Sequence, residues 1–262
     1  MTFRRYVAIG DSFTEGCGDH DPSLPNGVRG WADRVAEVLA ARAREAGEEL
    51  AYANLAVRGR KMDAVLTQQL PAALAMQPDL VTCYAGANDI LRLRVDVDAM
   101  VARYEEELRP LVDGGAHLVL FTAVDPGAAM VYRPVRARFA RYGELVRAAA
   151  DRLGADVVDF WAMKDYQSWG WWDADRMHMA AAGHRRMAVE VLDVLGVEHD
   201  LKRPEDPGVP ARSVASRLVD DAAWVRRDLA PWVGRRITRT STGDACPPRW
   251  PTLGPVPEIS RA

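Results

Sequence analysis

The stretch "YVAIGDSFTEG", residues 6–16, joins a short apolar run to the tripeptide Gly-Asp-Ser. The run from Tyr6 to Ile9 predicts a buried strand, and Gly10 predicts a tight exit from it. Ser12 then has two interpretations: a polar residue in a turn, or a nucleophile held at the end of a strand. The choice depends on chemical partners elsewhere in the chain.

The bulk composition is that of a globular protein with a substantial core. The chain has 262 residues, of which 48% are hydrophobic and 27% charged. This length suits one large domain, or a domain with an appendage. The net charge of -3 shows no basic signature, so we expect no nucleic-acid partner.

Cysteine usage and hydropathy bear on the compartment. The cysteines Cys17, Cys83 and Cys246 are odd in number, far apart and without metal-ligand spacing among them, which predicts a reducing compartment and no disulfide framework. The first apolar run is shorter than the roughly 7–15 residues of a secretory signal. No stretch reaches the roughly 18–20 apolar residues of a membrane span. We therefore expect a cytoplasmic protein that does not span a membrane.

Short apolar runs alternate with longer amphipathic patterns through residue 200. Helical periodicity lies between them, for example at Val135, Phe139, Tyr142 and Val146. This alternation predicts βαβ units, a mostly parallel five-stranded sheet and a three-layer α/β/α sandwich. The predicted strands are Tyr6–Ile9, Leu50–Leu55, Leu80–Tyr84, His117–Thr122 and Asp156–Phe160.

The composition changes after residue 200. The segment "KRPEDPGVPAR" is a proline-rich connector, and residues 231–262 are predicted to be irregular. We expect a domain over residues 1–200 and an extension over residues 201–262 that packs on it. Between connector and arm, an amphipathic helix is predicted with one apolar stripe formed by Val214, Leu218, Ala222, Val225 and Leu229.

Polar residues follow several of the predicted strands. Ser12 follows the first strand, Gly59 the second and Asn88 the third, while Asp175 and His178 precede the helix near residue 187. Ligands of open parallel sheets bind beyond the carboxyl ends of the strands. We therefore expect these residues to converge at one edge of the sheet.

Together these residue types suit ester hydrolysis, which needs a nucleophile, a base, a group that orients the base, and donors for the oxyanion. Ser12 is the predicted nucleophile and His178 the base. Asp175 is predicted to hold the imidazole in the correct tautomer. The predicted oxyanion donors are the backbone N–H groups of Ser12 and Gly59 and the side-chain amide of Asn88.

Other residues compete for these roles. Asp173 also precedes His178, but a spacing of five residues is a less natural reach than the three of Asp175. His184 precedes Ala188 by four residues, on the stripe predicted to be buried, so we expect a hydrogen-bonded core histidine. Three tryptophans before the acid–base pair can wall a substrate pocket or pack a long loop, namely Trp169, Trp171 and Trp172.

The blocks "GDSFTEG", the Gly59 segment, "GAND" and "DRMH" occur in this order over residues 6–190. In this the chain resembles the SGNH hydrolase superfamily, also called GDSL esterases and lipases, with Phe13 where that name has leucine. The resemblance implies a flavodoxin-like sandwich with no metal and no cofactor. It carries no implication for the residues after 200.

The resulting functional prediction is a serine esterase that hydrolyses carboxylic esters of small or acylated molecules through an acyl-enzyme. Three alternatives stay open. An acyltransferase, or a thioesterase or lysophospholipase-type acyl hydrolase, would use the same site. A catalytically silent binding module would retain only the fold. The sequence leaves the ester itself and the oligomeric state undetermined.

Overall fold

The strand ends of the central sheet position Ser12, Gly59 and Asn88. The structure, a computed structural model, describes residues 2–127, 133–209, 213–238 and 240–257. Within these ranges the strands are β1 (Arg5–Gly10), β2 (Ala51–Asn54), β3 (Leu80–Tyr84), β4 (His117–Phe121), β5 (Asp156–Val158) and β6 (Trp250–Pro255). Their spatial order is β5-β4-β3-β1-β2-β6.

Neighbouring strands from β1 to β5 are parallel. Every residue of β3 is buried, as expected for a parallel strand covered on both faces. The register pairs Gly10 at the end of β1 with Tyr84 at the end of β3. The loops that carry Ser12 and Asn88 therefore leave the sheet side by side.

Helices cover both faces of the sheet and create two hydrophobic cores. On one face α2 (Trp31–Glu45) and α8 (Ala181–Val194) pack on the sheet, and on the other α6 (Val97–Asp113) and α7 (Arg136–Leu153) do so. The shorter α-helices are α1 (Ser12–Glu15), α3 (Met62–Ala64), α4 (Leu70–Ala75), α5 (Ala87–Ile90), α9 (Val214–Trp224) and α10 (Ala230–Thr238).

Several turns of other helix types complete the described secondary structure. π-helical segments at Val65–Gln69 and Val225–Leu229 connect α3 to α4 and α9 to α10. The 3₁₀ turns are Pro25–Gly27, Arg133–Val135, Lys164–Gln167 and Trp169–Trp171. No helix within the described ranges has the length and apolar character needed to cross a bilayer.

The predicted α/β/α sandwich is confirmed, but the sheet has a sixth strand. β6 pairs antiparallel with β2, with Asn54 opposite Trp250. This corrects the prediction of an irregular arm after residue 230, as does α10. Prolines made the segment look unsuited to a strand, yet Pro251 and Pro255 are tolerated because β6 lies at the sheet edge, where a ladder N–H is dispensable.

The helix predicted near residue 214 forms, but its apolar stripe is not a core face. Leu218 and Val225 are 65% and 44% exposed. The side of this helix that contacts the rest of the protein carries Trp224, whose indole hydrogen-bonds the loop before His178. Polar and aromatic contacts, not the apolar stripe, thus set how the helix is turned.

Candidate active site

One cavity of about 820 Å³ lies beyond the carboxyl ends of the parallel strands. Ser12 lines it from the loop after β1, Gly59 from the loop after β2, and Asn88 from the loop after β3. Asp175 and His178 line it from the loop before α8. Parallel strands end on the same side of a sheet, which explains how residues this distant in sequence meet.

Ser12 is the first residue of α1, directly after the capping residue Asp11. The Asp11 carboxylate accepts the N–H of Phe13 at 3.0 Å. Among the described residues, neither the N–H of Ser12 nor its hydroxyl has a hydrogen-bond partner. The start of this helix thus presents a hydroxyl and a backbone donor to the cavity.

The loop from Asp175 to His178 holds the acid–base pair. Nδ1 of His178 and Oδ2 of Asp175 are 2.6 Å apart. The other carboxylate oxygen accepts the N–H of Met177 at 2.8 Å and that of His178 at 3.0 Å. Arg176 adopts a left-handed conformation with φ of 58°, which turns the chain tightly between the two catalytic candidates.

The environment of Asp175 keeps it ionised. Burial acts to raise its pKa, but the hydrogen bond and charge of His178 and the two backbone N–H groups outweigh burial. The pKa of Asp175 therefore lies below its ordinary value. An ionised carboxylate at Nδ1 is the arrangement that leaves Nε2 of His178 to accept a proton.

Asp173 has a different partner. Its carboxylate lies 3.2 Å from Nε2 of His20, whose side chain is 70% exposed. His184 is fully buried, where its ring contacts the N–H of Trp31 at 3.3 Å and the carbonyl of Cys17 at 3.0 Å. Burial lowers the pKa of His184 to about 4, so it is a neutral core residue.

Close packing brings the serine segment against the acid–base loop. Gly18 has φ of 95°, and a β-carbon there would overlap the carbonyl oxygen of Met179 and lie 3.0 Å from Cβ of His178. A side chain at this position would push the two segments apart. Gly18 thus belongs to the geometry that places Ser12 and His178 on one cavity.

The loop after β2 presents Gly59 in a left-handed conformation, with φ of 74°. A β-carbon at this position would collide with the hydroxyl oxygen of Ser241, which hydrogen-bonds the carbonyl of Arg58 at 3.3 Å. No acceptor for the Gly59 N–H occurs among the described residues. The loop thus offers a second backbone donor to the cavity.

Asn88 approaches from the third strand end. Its side-chain amide donates to Asp11 Oδ2 at 3.0 Å and to the carbonyl of Arg60 at 3.1 Å. The amide therefore bridges the serine segment and the Gly59 loop. For Asn88 to donate to an oxyanion, the oxyanion must replace one of these two acceptors.

Asp11 is buried beside these groups, at 2% exposure. Burial raises its pKa to about 7, against the opposing effect of the Phe13 N–H and of His178. Asp89 is likewise buried and accepts the N–H of Met62 at 2.9 Å. Both carboxyl groups accept backbone N–H groups and so hold backbone in place.

Glu15 is a site residue that the sequence analysis missed. Its side chain is fully buried and forms an ion pair with Arg58, with Nη2 at 2.6 Å from Oε1. Oε2 also accepts the backbone N–H of Arg58 at 2.5 Å. The available signal was Glu15 itself, three residues after the predicted nucleophile, because a carboxylate buried there needs a cationic partner.

The tryptophans predicted to wall the cavity divide into two groups. Trp169 and Trp172 line it, and the indole of Trp172 donates to the carbonyl of Tyr166 at 2.8 Å. Trp171 does not line it: its side chain is 2% exposed and packs in the core, 5.7 Å from the Tyr166 ring. The 3₁₀ turn at 169–171 rotates consecutive side chains to different sides.

The C-terminal extension contacts the loop that carries Asp175 and His178, the Gly59 loop and the serine helix. The indole of Trp224 donates to the carbonyl of Asp175 at 2.7 Å, and Asp221 pairs with Arg176 at 2.7 Å. Ser241 lies over the Gly59 loop and donates to the carbonyl of Arg58. The fully buried guanidinium of Arg249 donates to the carbonyl of Glu15 at 3.0 Å. The sequence offered no signal for these long-range contacts.

No group of three or more His, Cys, Asp or Glu side chains suited to hold a metal ion occurs among the residues that the structure describes.

The chain matches the model of the GDSL-like Lipase/Acylhydrolase family over residues 8–186. No relative is found among the curated proteins.

Solved structures with the same fold include those of Axe2, TesA and LAE5. A catalytic mutant of Axe2, an acetylxylan esterase from Geobacillus stearothermophilus, is 22% identical with a TM-score of 0.60, and the match covers 75% of this chain and 96% of that one. TesA is 22% identical with a TM-score of 0.58, covering 73% and 98%. LAE5, an α/β hydrolase from the metagenome of Lake Arreo, Spain, is 24% identical with a TM-score of 0.58, covering 74% and 95%.

Proposed function

The chain belongs to the GDSL-like lipase/acylhydrolase family, and from that premise we propose that it is a serine esterase that forms an acyl-enzyme. The observation that carries the proposal is the 2.6 Å contact between Asp175 and His178 on the cavity that Ser12 lines. A carboxylate, an imidazole and a serine hydroxyl on one cavity are the parts of a nucleophilic acyl-transfer site.

In the acylation step, the Ser12 oxygen attacks the ester carbonyl and its proton passes to Nε2 of His178. Asp175 keeps the Nδ1 proton in place and stabilises the imidazolium that forms. The hydroxyl of Ser12 has no partner among the described residues. The hydrogen bond to His178 therefore has to form when substrate enters.

The tetrahedral intermediate carries a negative charge on the former carbonyl oxygen. The N–H groups of Ser12 and Gly59 are two donors without acceptors among the described residues, and such donors suit an oxyanion. The Asn88 amide is the proposed third donor. It would give up its bond to Asp11 or to the Arg60 carbonyl in exchange for a charged acceptor, which forms the stronger hydrogen bond.

Collapse of this intermediate releases the alcohol, which takes the proton from His178. Water then enters, His178 removes its proton, and the resulting attack on the acyl-enzyme frees the acid and Ser12. Trp169 and Trp172 line the proposed substrate pocket. Because an acetylxylan esterase shares the fold, sugar acetates belong in the first substrate panel, beside nitrophenyl esters of several chain lengths.

The test is the variant Ser12→Ala, with Ser23→Ala as a matched control at an exposed serine. We expect Ser12→Ala to lose labelling by a fluorophosphonate probe and to lower kcat at least about 10³-fold. Circular dichroism should show an unchanged fold. Retained labelling and turnover in Ser12→Ala, at the level of Ser23→Ala, would contradict the mechanism.

We also propose a cytoplasmic location. Cys17, Cys83 and Cys246 are all free thiols, which suits a reducing compartment. To test the location, the native host is fractionated and esterase activity is measured in each fraction, with the Ser12→Ala chain as the blank. The activity is expected in the cytoplasmic fraction.

A further inference from the structure

The charges that line the cavity are unequally compensated. Each carboxylate on the cavity wall has a partner in the protein. Asp175 contacts His178, Asp173 contacts His20, and Asp228 pairs with Arg227. Asp11 accepts two hydrogen bonds, and Asp125 forms ion pairs with Arg136 and Lys164, both at 2.7 Å.

The cations on the wall fall into two groups. Arg58, Arg176 and Arg227 pair with Glu15, Asp221 and Asp228, respectively. Lys61, Arg92 and Arg235 also line the cavity, but none of them has an ion-pair partner among the described residues. The wall therefore presents an excess of positive charge to whatever enters.

Arg92 is the most informative of these cations. Its Nε atom is buried and has no hydrogen-bond acceptor within the described structure. A buried donor without an acceptor is costly. Burial raises the pKa of the nearby Asp89, against the opposing effects of the Met62 N–H, Lys61 and Arg92, and one oxygen of its carboxylate accepts that N–H.

Two of the three unpaired cations lie close in sequence to the proposed oxyanion donors. Lys61 follows Gly59 by two residues, and Arg92 follows Asn88 by four. Both thus lie just beyond the proposed oxyanion donors. Arg235 comes from α10 in the extension. Positive groups that surround a partly enclosed cleft raise the local concentration of anions and speed their binding.

We propose that the cavity selects esters that carry a second, anionic group, a carboxylate or a phosphate, bound by Lys61, Arg92 and Arg235. This rests on the proposed esterase function and names its substrate class. The anion acts in binding, so its contribution falls on KM more than on kcat. It also weakens as salt screens the charges.

The experiment compares matched esters that differ in charge. Methyl 4-acetoxybenzoate is the neutral ester, 4-acetoxybenzoate carries a carboxylate, and 4-acetoxyphenyl phosphate carries a phosphate. The measured quantity is kcat/KM for each anionic ester divided by kcat/KM for the neutral one. Taking this ratio in the wild type and again in a variant cancels differences in leaving-group reactivity.

The variant is Lys61→Met/Arg92→Met/Arg235→Met, and the control replaces exposed cations off the cavity, Arg44→Met/Arg94→Met/Lys202→Met. Both change the net charge equally. We expect the charge-preference ratio to fall at least about 10-fold in the first variant, through KM, and to change little in the control. The charge-preference ratio is measured separately for the carboxylate ester and the phosphate ester. The ester whose ratio falls more in the first variant carries the anion that the three cations bind.

A ratio unchanged in the first variant overturns the proposal, as does an equal fall in the control variant. Where the first variant does not fold, the wild type supplies the decision: the ratio must fall as KCl rises from about 0.05 to about 0.5 M, because the Debye length shortens over that range. Absence of turnover with the neutral ester and of fluorophosphonate labelling would instead refute the esterase function itself.

Discussion

The buried carboxylate of Glu15 accepts the backbone N–H of Arg58 at 2.5 Å. Glu15 ends the helix that Ser12 begins, and Arg58 immediately precedes Gly59. The peptide that directly precedes the one carrying the Gly59 N–H is therefore held against the helix that Ser12 begins. The guanidinium of Arg58 adds a bidentate ion pair to the same carboxylate, which strengthens the link.

Glu15→Gln should lower kcat by roughly 10- to 100-fold, because the Gly59 donor loses its fixed position at the oxyanion. Kinetics with a small neutral ester measure this, with KM expected to change less than kcat. Glu37→Gln is the control, since Glu37 forms a similar 2.7 Å pair with Arg29 and does not line the cavity. Equal losses of kcat in both variants would contradict the positioning role.

Asp175→Asn should lower kcat by about 10⁴-fold, because an amide facing Nδ1 of His178 favours the tautomer that carries its proton on Nε2. That tautomer cannot accept the serine proton. Asp173→Asn is the control, as Asp173 contacts the exposed His20 instead, and its kcat should stay within about 5-fold of the wild type. The reverse order of effects would assign the orienting role to Asp173.

Trp224→Phe removes the 2.7 Å hydrogen bond to the carbonyl of Asp175. A neutral hydrogen bond contributes on the order of 1 kcal/mol, so we expect kcat to fall roughly 5-fold if the loop shifts in the transition state. Trp161→Phe serves for comparison, because Trp161 lies under Arg136 and Lys164, off the cavity. Identical kcat values in the two variants would show that the extension does not position the loop.

Asp11 makes stability depend on pH in an unusual direction. Its pKa of about 7 in the folded state exceeds the value of 3.8 for a free carboxyl group. The folded state therefore holds a proton that the unfolded state has released, and this contribution to stability is lost as pH rises from about 4 to 7, by up to roughly 4 kcal/mol. Buried His184, with its lowered pKa of about 4, acts in the opposite sense over much of this range.

Urea unfolding of the wild type and of Asp11→Asn at pH 5 and pH 8 separates the two effects, since His184 is common to both proteins. We expect the free energy of unfolding of the wild type, relative to that of Asp11→Asn, to fall as pH rises from 5 to 8. A constant difference in the free energy of unfolding between the proteins would show that Asp11 is already ionised at pH 5.

Two features were predictable from sequence. One is the α/β/α sandwich, and the other is the convergence on one cavity of Ser12, Gly59, Asn88 and His178. Short apolar runs mark the strands, and the parallel order makes the residues after each strand neighbours. The strand over Leu80–Tyr84 was predicted with its observed bounds, because its run of apolar and β-branched residues is sharply delimited.

The extension could not be predicted in the same way. β6 pairs with β2, although the two strands lie far apart in sequence. The two prolines of β6 interrupt the alternating pattern by which a strand is normally predicted. The buried Arg249 has no local signal either, because its partners Asp33 and Glu15 lie far away in sequence. The sequence left Trp169, Trp171 and Trp172 open between walling a pocket and packing a loop, and the 3₁₀ turn that directs Trp171 into the core gives no periodic signal.

The pairing of β6 with β2 also has a consequence for solubility. It occupies the backbone donors and acceptors on the open side of β2, while the opposite border of the sheet is formed by β5, which has only three residues. A chain shortened before Trp250 would uncover a strand able to recruit another molecule. Such a truncated protein should form aggregates, so loss of turnover in it would report self-association as well as loss of the active-site contacts.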